Sequence, residues 1–348
     1  MIHPNATCLI PALLAATTAG SAMAQDLSVV GSWSSLPLHK TFEAPFWNET
    51  LPGANPDLSV QMTTFDQMGI QGSDVMRMLG DGVFDVGMTV GDYAVDDAPE
   101  LEGLDVPLLA TTAAEARAMV DAYRPMIAEV LRETFNAELL AIAPYPPQVM
   151  FCRPEVASLD DLEGLKIRGS GRMTTLFLEA LGAEGVNLAF AETPGALERG
   201  VVDCAVTGAG SGYASGWWEV SSTLYAIPLG GWDPVVTAMN LDTWESLDAE
   251  TQAMLKEAIA TEFEAPAWEA ADASYQMELD CLGGSADCTL GDPADMTVVQ
   301  PSEADLAQAK EILIADVLPD WGTRVSKDWL VRWNDTVGAT TGVSVPVE

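Results

Sequence analysis

Polar and apolar residues alternate along Leu58–Phe65, which marks a strand with one face buried. Leu27–Trp33, Val83–Met88, Ala137–Ala143 and Val235–Asn240 are short apolar runs of strand length. Between them the period lengthens. His39–Glu49 reads as a helix that stops at Pro52-Gly53, and Ser73 stands as the cap of a helix through Leu79. Ala113–Phe135 is helical with an interruption near Pro125. From Ser158 the pattern repeats. A capped turn leads to a strand ending in Arg168, then a helix, a strand near Val186–Phe190, another helix and a strand at Asp203–Thr207. Each half is thus a βαβαβ unit. Pro144-Tyr145-Pro146-Pro147 joins them as a crossing segment and hinge candidate, and Val235–Asn240 reads as a return to the first half. Tyr213–Val220 looks helical and Leu224–Leu229 extended. Asp248–Leu282 carries Leu255, Ile259, Phe263, Trp268, Tyr275 and Leu279 as apolar positions of a long helix, which Pro266 kinks or divides in two. Ser302–Val317 is a helix capped by Ser302, and Trp321, Trp329 and Trp333 read as packing residues of the tail.

Composition narrows the class. The 348 residues suffice for two domains, and at 48% apolar they can fill large cores. The formal charge of −37 argues against nucleic acid, because phosphate binding needs clustered Lys and Arg. Met1–Ala24 has no charged side chain. An apolar run, Leu9–Ala16, precedes Ala22-x-Ala24, a signal-peptidase pattern. Pro4 and Pro11 oppose the alternative of a buried helix. Cleavage after Ala24 and export to the periplasm are expected, and no later stretch approaches 18 uninterrupted apolar residues.

Four cysteines follow the cleavage point, an even number suited to two disulfides in an oxidising compartment. Cys281 and Cys288 would close a short Gly-rich loop. Cys152 and Cys204 would then pair between neighbouring strands. Free buried thiols are the alternative, whereas zinc lacks partners: after the leader only His39 remains, and no Cys-x-x-Cys occurs. Catalysis finds little footing, since there is no nucleophile elbow, P-loop or Gly-x-Gly-x-x-Gly fingerprint. What stands out is Arg168 at the carboxyl end of a strand, where open α/β sheets bind small ligands and a guanidinium can grip a carboxylate with two parallel hydrogen bonds. A surface Arg paired with one of the many acids is the alternative.

Asp161-Leu162-Glu163-Gly164-Leu165-Lys166-Ile167-Arg168 and Ala196-Leu197-Glu198-Arg199-Gly200-Val201-Val202-Asp203 resemble the DctP-type solute-binding proteins of tripartite ATP-independent periplasmic (TRAP) transporters. The order of leader, two α/β lobes and long late helix fits over essentially the whole mature chain. The resemblance implies an α/β, two-lobed periplasmic-binding-protein clamshell with a long helix spanning both lobes. Its parts would be a signal peptide (1–24), lobe I (25–146 plus about 233–265) and lobe II (147–232 plus about 266–348). It implies a monomer, without cofactor or metal, that captures an organic carboxylate and delivers it to membrane permease subunits. By position it makes Arg168 the carboxylate clamp, Gln148 a polar neighbour and Phe190 the aromatic that covers the ligand. Thr207 stands where Asn is frequent. Cys204–Gly210 holds no carboxylate, which departs from keto-acid members that bind their ligand with a metal. Tyr93, Trp232 and Trp33, at strand exits, complete the candidates. Tyr93 is favoured over Asp92 because an acid would repel an anionic ligand. Core packing is the alternative for Trp232 and loop capping for Trp33. The expected ligand is a monocarboxylate, either a hydroxy or keto acid or an aromatic acid. A dicarboxylate or sugar-acid binder, an ABC-type binding protein and, in another class, an exported hydrolase are the alternatives.

Overall fold

The computed structural model describes residues 25–229 and 231–347, so the expected leader lies outside the described residues. Eleven strands occur among them: β1 (Gln25–Gly31), β2 (Leu58–Thr64), β3 (Val86–Val90), β4 (Ala137–Ala143), β5 (Gln148–Cys152), β6 (Lys166–Arg168), β7 (Glu184–Val186), β8 (Cys204–Gly208), β9 (Thr223–Tyr225), β10 (Val235–Asn240) and β11 (Thr297–Val299). They form two sheets, ordered β2-β1-β3-β10-β4 and β11-β9-β5-β8-β6-β7. The first sheet is the floor of lobe I and the second that of lobe II. The chain passes from one to the other between β4 and β5, through Pro144–Pro147, as its hydrophobic pattern indicates. It returns between β9 and β10, and β10 inserts antiparallel between β3 and β4.

β4 is an edge strand, yet all seven of its residues are buried. The helix Ala113–Phe135 and the long late helix cover it, which removes an open edge. That late helix runs unbroken from 249 to 282 and joins the lobes. Near its middle the Trp268 indole N–H donates to Ile142 O on β4 (3.0 Å). Near its end Glu278 accepts the Gly210 N–H of lobe II (2.9 Å).

Prolines that pattern alone reads as breaks are absorbed. The helix spanning 37–54 contains Pro45 and Pro52, and the late helix contains Pro266. Wide five-residue π-turns at His39–Glu43, Phe46–Thr50 and Ala260–Glu264 each end two residues before one of these prolines. Widening the turn moves away the carbonyl that the pyrrolidine ring would strike and accommodates the missing N–H. The expected stop at Pro52 therefore falls at Ala54, and the late helix is one helix, not two. Pro125 sits inside Ala113–Phe135 without interrupting it.

Other elements shift. The third strand begins at Val86, not Val83, and the helix before it, Val75–Gly80, has no side-chain cap from Ser73. The strand expected near Val186–Phe190 is β7, and Phe190 opens a 3-10 turn beyond it. Tyr213–Val220 is not one helix: a helix at Ala209–Ala214 ends before Gly216 (φ 71°), and Trp217–Glu219 is a separate turn. β9 stops at Tyr225, short of Leu229.

Both cysteine pairs are bonded, Cys152 to Cys204 and Cys281 to Cys288. The first joins residues directly opposite each other on β5 and β8. The helical stretch beginning at Glu303 docks on lobe II, where Asp305 accepts the Leu159 N–H (3.1 Å). The tail, expected with lobe II, instead returns to lobe I after Val317. There the indoles of Trp321 and Trp333 donate to Pro99 O (2.8 Å) and Gly103 O (3.0 Å), and that of Trp329 to Tyr123 Oη (2.7 Å).

Candidate functional site

Three strand ends and the second crossover converge where the lobes face each other. β6 ends on Arg168, which is 3% exposed. Its Nε donates to Leu188 O (3.1 Å) and its Nη1 to Val206 O (2.7 Å). Two main-chain carbonyls thus fix the plane of the guanidinium. Tyr93, from lobe I, and the Asp233 carboxyl lie within its electrostatic reach.

Asp233 follows the Gly231-Trp232 exit of the second crossover with φ 41°, a left-handed conformation that few residues other than glycine adopt. The turn is held from outside. Asp105 accepts the N–H of Trp232 (2.7 Å) and of Asp233 (2.9 Å) on its two oxygens. Tyr145 N donates to Trp232 O (2.9 Å) and Gln148 N to Gly231 O (3.0 Å), so the two crossovers are laced together. The Gln148 side chain hydrogen-bonds to Asp233.

Burial raises the acids here. It pushes Asp233 up to about 7, opposed by the Arg168 charge and the Gln148 hydrogen bond. Burial also drives Asp105 well up, with Asp233 adding repulsion, and does the same to Asp92. Burial raises the Tyr93 phenol, with Arg168 pulling the other way. Asp92, Tyr93 and Asp233 are surrounded by protein but keep some accessible surface.

Aromatic rings gather where the two lobes face each other. Trp33, at the exit of β1, is central: its ring lies 4.8 Å from Phe65, 5.6 Å from Tyr93, 6.3 Å from Tyr145 and 5.5 Å from Phe190. Phe190 in turn lies 5.3 Å from Trp217 in lobe II. Ser32 and Tyr145 share a hydrogen bond (3.3 Å), and Ser32 N donates to the fully buried Glu43 (2.9 Å). The lobes also touch at Gly171, where an added Cβ would lie 1.8 Å from Asp92 Oδ2. On the far side of Tyr145 a cavity of about 660 Å³ opens between Leu38, Pro146, Ser211 and the late helix. Arg168 does not border it.

A fixed buried guanidinium thus meets amide and aromatic neighbours drawn from two lobes, in a fold with many relatives. A model of the bacterial extracellular solute-binding proteins, family 7 (DctP), matches residues 40–317. The chain belongs to that family. Its fold matches TRAP solute-binding proteins. One is DctP7 of Bordetella pertussis, an extracytoplasmic solute receptor binding pyroglutamic acid: 22% identity, TM-score 0.78, covering 90% of this chain and 100% of that one. Another, from Desulfovibrio salexigens with bound orotic acid, has 16% identity and a TM-score of 0.79 over 90% and 99%. The periplasmic ectoine-binding protein of the TeaABC transporter of Halomonas elongata has 19% identity and a TM-score of 0.79 over 91% and 99%.

Within this member of the family, Arg168, Gln148, Tyr93, Trp33 and Phe190 come together. Thr207 is buried on β8, one residue from the Gly208 that pairs with Gln148. Trp232 points elsewhere: its indole donates to Ala110 O (3.1 Å) and its ring lies 6.4 Å from Trp268, as the core-packing alternative has it. Pattern and charge logic missed Asp233 and Tyr145, whereas Ser32, at the same strand exit as Trp33, was open to either a hydrogen-bonding or a loop-capping reading. Asp233 was hidden by the very argument used against Asp92, that an acid repels an anion. Its only local signal is Gly230-Gly231 before it and Pro234 after it, a turn at a crossover.

Proposed function

We propose that this protein is the periplasmic receptor of a TRAP transporter for a small organic carboxylate, which it binds through Arg168 and hands to the membrane permease. The observation that carries the reading is the Arg168 guanidinium, buried at a strand end and aimed by two main-chain carbonyls. A charge so placed is already desolvated and oriented, so a carboxylate meets it without reorganisation. Tyr93, Gln148 and Thr207 supply neutral hydrogen bonds, while Trp33 and Phe190 close over the ligand from opposite lobes. That relatives of the same fold hold pyroglutamate and orotate supports a monocarboxylate with a planar or ring-shaped body. Among the described residues no helix is long and apolar enough to cross a membrane.

The test is a thermal-shift screen of organic acids on residues 25–348. At least one monocarboxylate is expected to raise Tm, without being turned over. Arg168→Ala should abolish that shift while circular dichroism stays native. A variant that binds the acid with unaltered affinity would sink the clamp.

A further inference from the structure

We infer that the cavity behind Tyr145 is a second ligand site, which takes a small organic amine whose ammonium group pairs with Glu278. It lies apart from Arg168, which does not border it. Tyr145 stands between the two: its ring lies 6.3 Å from that of Trp33 and also lines the cavity. A volume of about 660 Å³ is that of a small-molecule pocket. The walls come from both lobes. Leu38 and Phe42 belong to the helix after β1, Ser211 and Tyr213 to the helix after β8, and Ala271 and Glu278 to the late helix that joins the lobes. An occupant would touch both lobes at once, and any opening of the lobes would take the site apart.

The lining selects the occupant. It is apolar at Leu38, Pro146, Ala267 and Ala271. On the lobe II side Tyr213 and Trp218 stack, with ring centroids 6.1 Å apart. The Tyr213 hydroxyl donates to Asp292 O (2.7 Å), and the Trp218 indole N–H donates to Tyr213 O (3.3 Å), so the pair is held in place. Into these walls is set one buried acid. Glu278 is 4% exposed and lines the cavity. One of its oxygens accepts the Gly210 N–H (2.9 Å). Glycine makes room for this, since an added Cβ at 210 would lie 2.5 Å from the other oxygen. Lys40 is the one basic residue of the lining and is exposed, as are the acids Glu219 and Asp292. Nothing cationic among the described residues of the lining thus balances Glu278 from within, and burial pushes its carboxyl up to about 7. An ammonium that donates to Glu278 supplies the missing counter-charge. The faces of Tyr213 and Trp218 attract a cation as well. A carboxylate in the same place would meet a buried acid and no guanidinium, so this site is opposite in sign to the one at Arg168.

Amines paired with the alcohols of the same apolar body test this: benzylamine with benzyl alcohol, cyclohexylmethylamine with cyclohexylmethanol, and hexylamine with hexanol. Thermal shift and then titration calorimetry are run on residues 25–348 without any acid ligand, at pH 8 and about 0.15 M salt, which screens loose attraction of cations to an acidic surface. At least one amine is expected to raise Tm saturably and to bind about tenfold or more tightly than its alcohol, the worth of one charge-assisted hydrogen bond. Glu278→Gln keeps an acceptor for the Gly210 N–H and should bring that amine down to the affinity of its alcohol. Ala270→Trp, placed on the part-exposed side of the late helix that lines the cavity, should fill it and abolish binding of both while circular dichroism stays native. The inference is overturned if no amine binds, if amine and alcohol bind equally, or if the preference for the amine survives Glu278→Gln. An amine that still binds the natively folded Ala270→Trp variant sits elsewhere and overturns it too. None of these measurements involves Arg168, so the carboxylate reading stands or falls by its own screen.

Discussion

The indole of Trp33, at the exit of β1, lies 5.5 Å from the ring of Phe190 on the opposite lobe. The two residues lie on opposite lobes and are far apart in sequence, so any opening of the lobes would separate them. Phe190 is part-exposed but packs on the buried Trp217 of lobe II (5.3 Å). Phe190→Ala should therefore lower Tm of the unliganded protein modestly, by the loss of a half-buried ring. It should weaken binding of the best acid by about thirtyfold, roughly the 2 kcal/mol of a buried aromatic wall. Small-angle scattering should show a larger unliganded radius of gyration. Unchanged affinity together with unchanged scattering would mean that the rings do not close the site.

The link between late helix and lobe II has a pH signature. Glu278 is 4% exposed, and burial pushes it up to about 7, against hydrogen bonds from Ser274 and the Gly210 N–H. A carboxyl group raised on folding binds more protons in the native state than in the unfolded chain between pH 4.5 and 7. Stability is then highest below pH 4.5 and falls as pH rises through 7. A rise from 4.5 to about 7 corresponds to at most about 3 kcal/mol. Glu278→Gln keeps an acceptor for Gly210 and removes the titration. Urea unfolding of the unliganded variant should show greater stability than the parent at pH 8 and a flatter profile between pH 5 and 8. An identical pH profile would show that Glu278 is ionised at no cost.

Strand content and the order of the two βαβαβ units were legible because strand periodicity survives tertiary packing. The return of Val235–Asn240 to lobe I was legible for the same reason. Helix ends around Pro52, Pro125 and Pro266 were not. A proline's missing N–H is visible in sequence, but the π-turn that absorbs it depends on what the helix packs against. At the site, Arg168 stood out at a strand end and Phe190 through the family resemblance, and the structure brings both to where the lobes face each other. The placing of Asp233 could not be read, since it comes from a left-handed turn pinned by Asp105, which is 128 positions away. Trp232 was ambiguous because a strand-exit aromatic can turn to either side, and Trp268, supplied by the late helix, decides it.

The tail's return to lobe I depends on a buried ion pair. Arg324 Nε donates to Glu102 Oε1 (3.2 Å), its Nη2 reaches the other oxygen, and Nη1 pairs with Asp320. Glu102 is 1% exposed, so removing the guanidinium strands a buried carboxylate. Arg324→Ala should cost about 3 kcal/mol or more, seen as a lower urea midpoint. Arg324→Ala combined with Glu102→Gln should recover much of that loss, because no charge is left unpaired. If the double variant is as unstable as the single one, the loss comes from packing of the Arg stem and not from the stranded charge.

The two disulfides should differ in both accessibility and worth. Cys152 and Cys204 are fully buried on adjacent strands and close a loop of 52 residues. Cys281–Cys288 closes a separation of only 7, and Cys288 is part-exposed. Thiolate attack needs access, so mild reductant under native conditions should open Cys281–Cys288 first, read by mass after alkylation. In the chain-entropy account the longer loop contributes about 4 kcal/mol and the shorter about 2 kcal/mol. Replacing Cys152 and Cys204 together by Ser should thus lower stability more than replacing Cys281 and Cys288. It should also loosen β5 against β8, and with them Gln148 and Thr207, so ligand affinity falls as well. Loss of the 281–288 bridge, at the far end of the late helix, should leave affinity unchanged. If the distal bridge costs more binding than the one between β5 and β8, the positioning role given to those two strands is wrong.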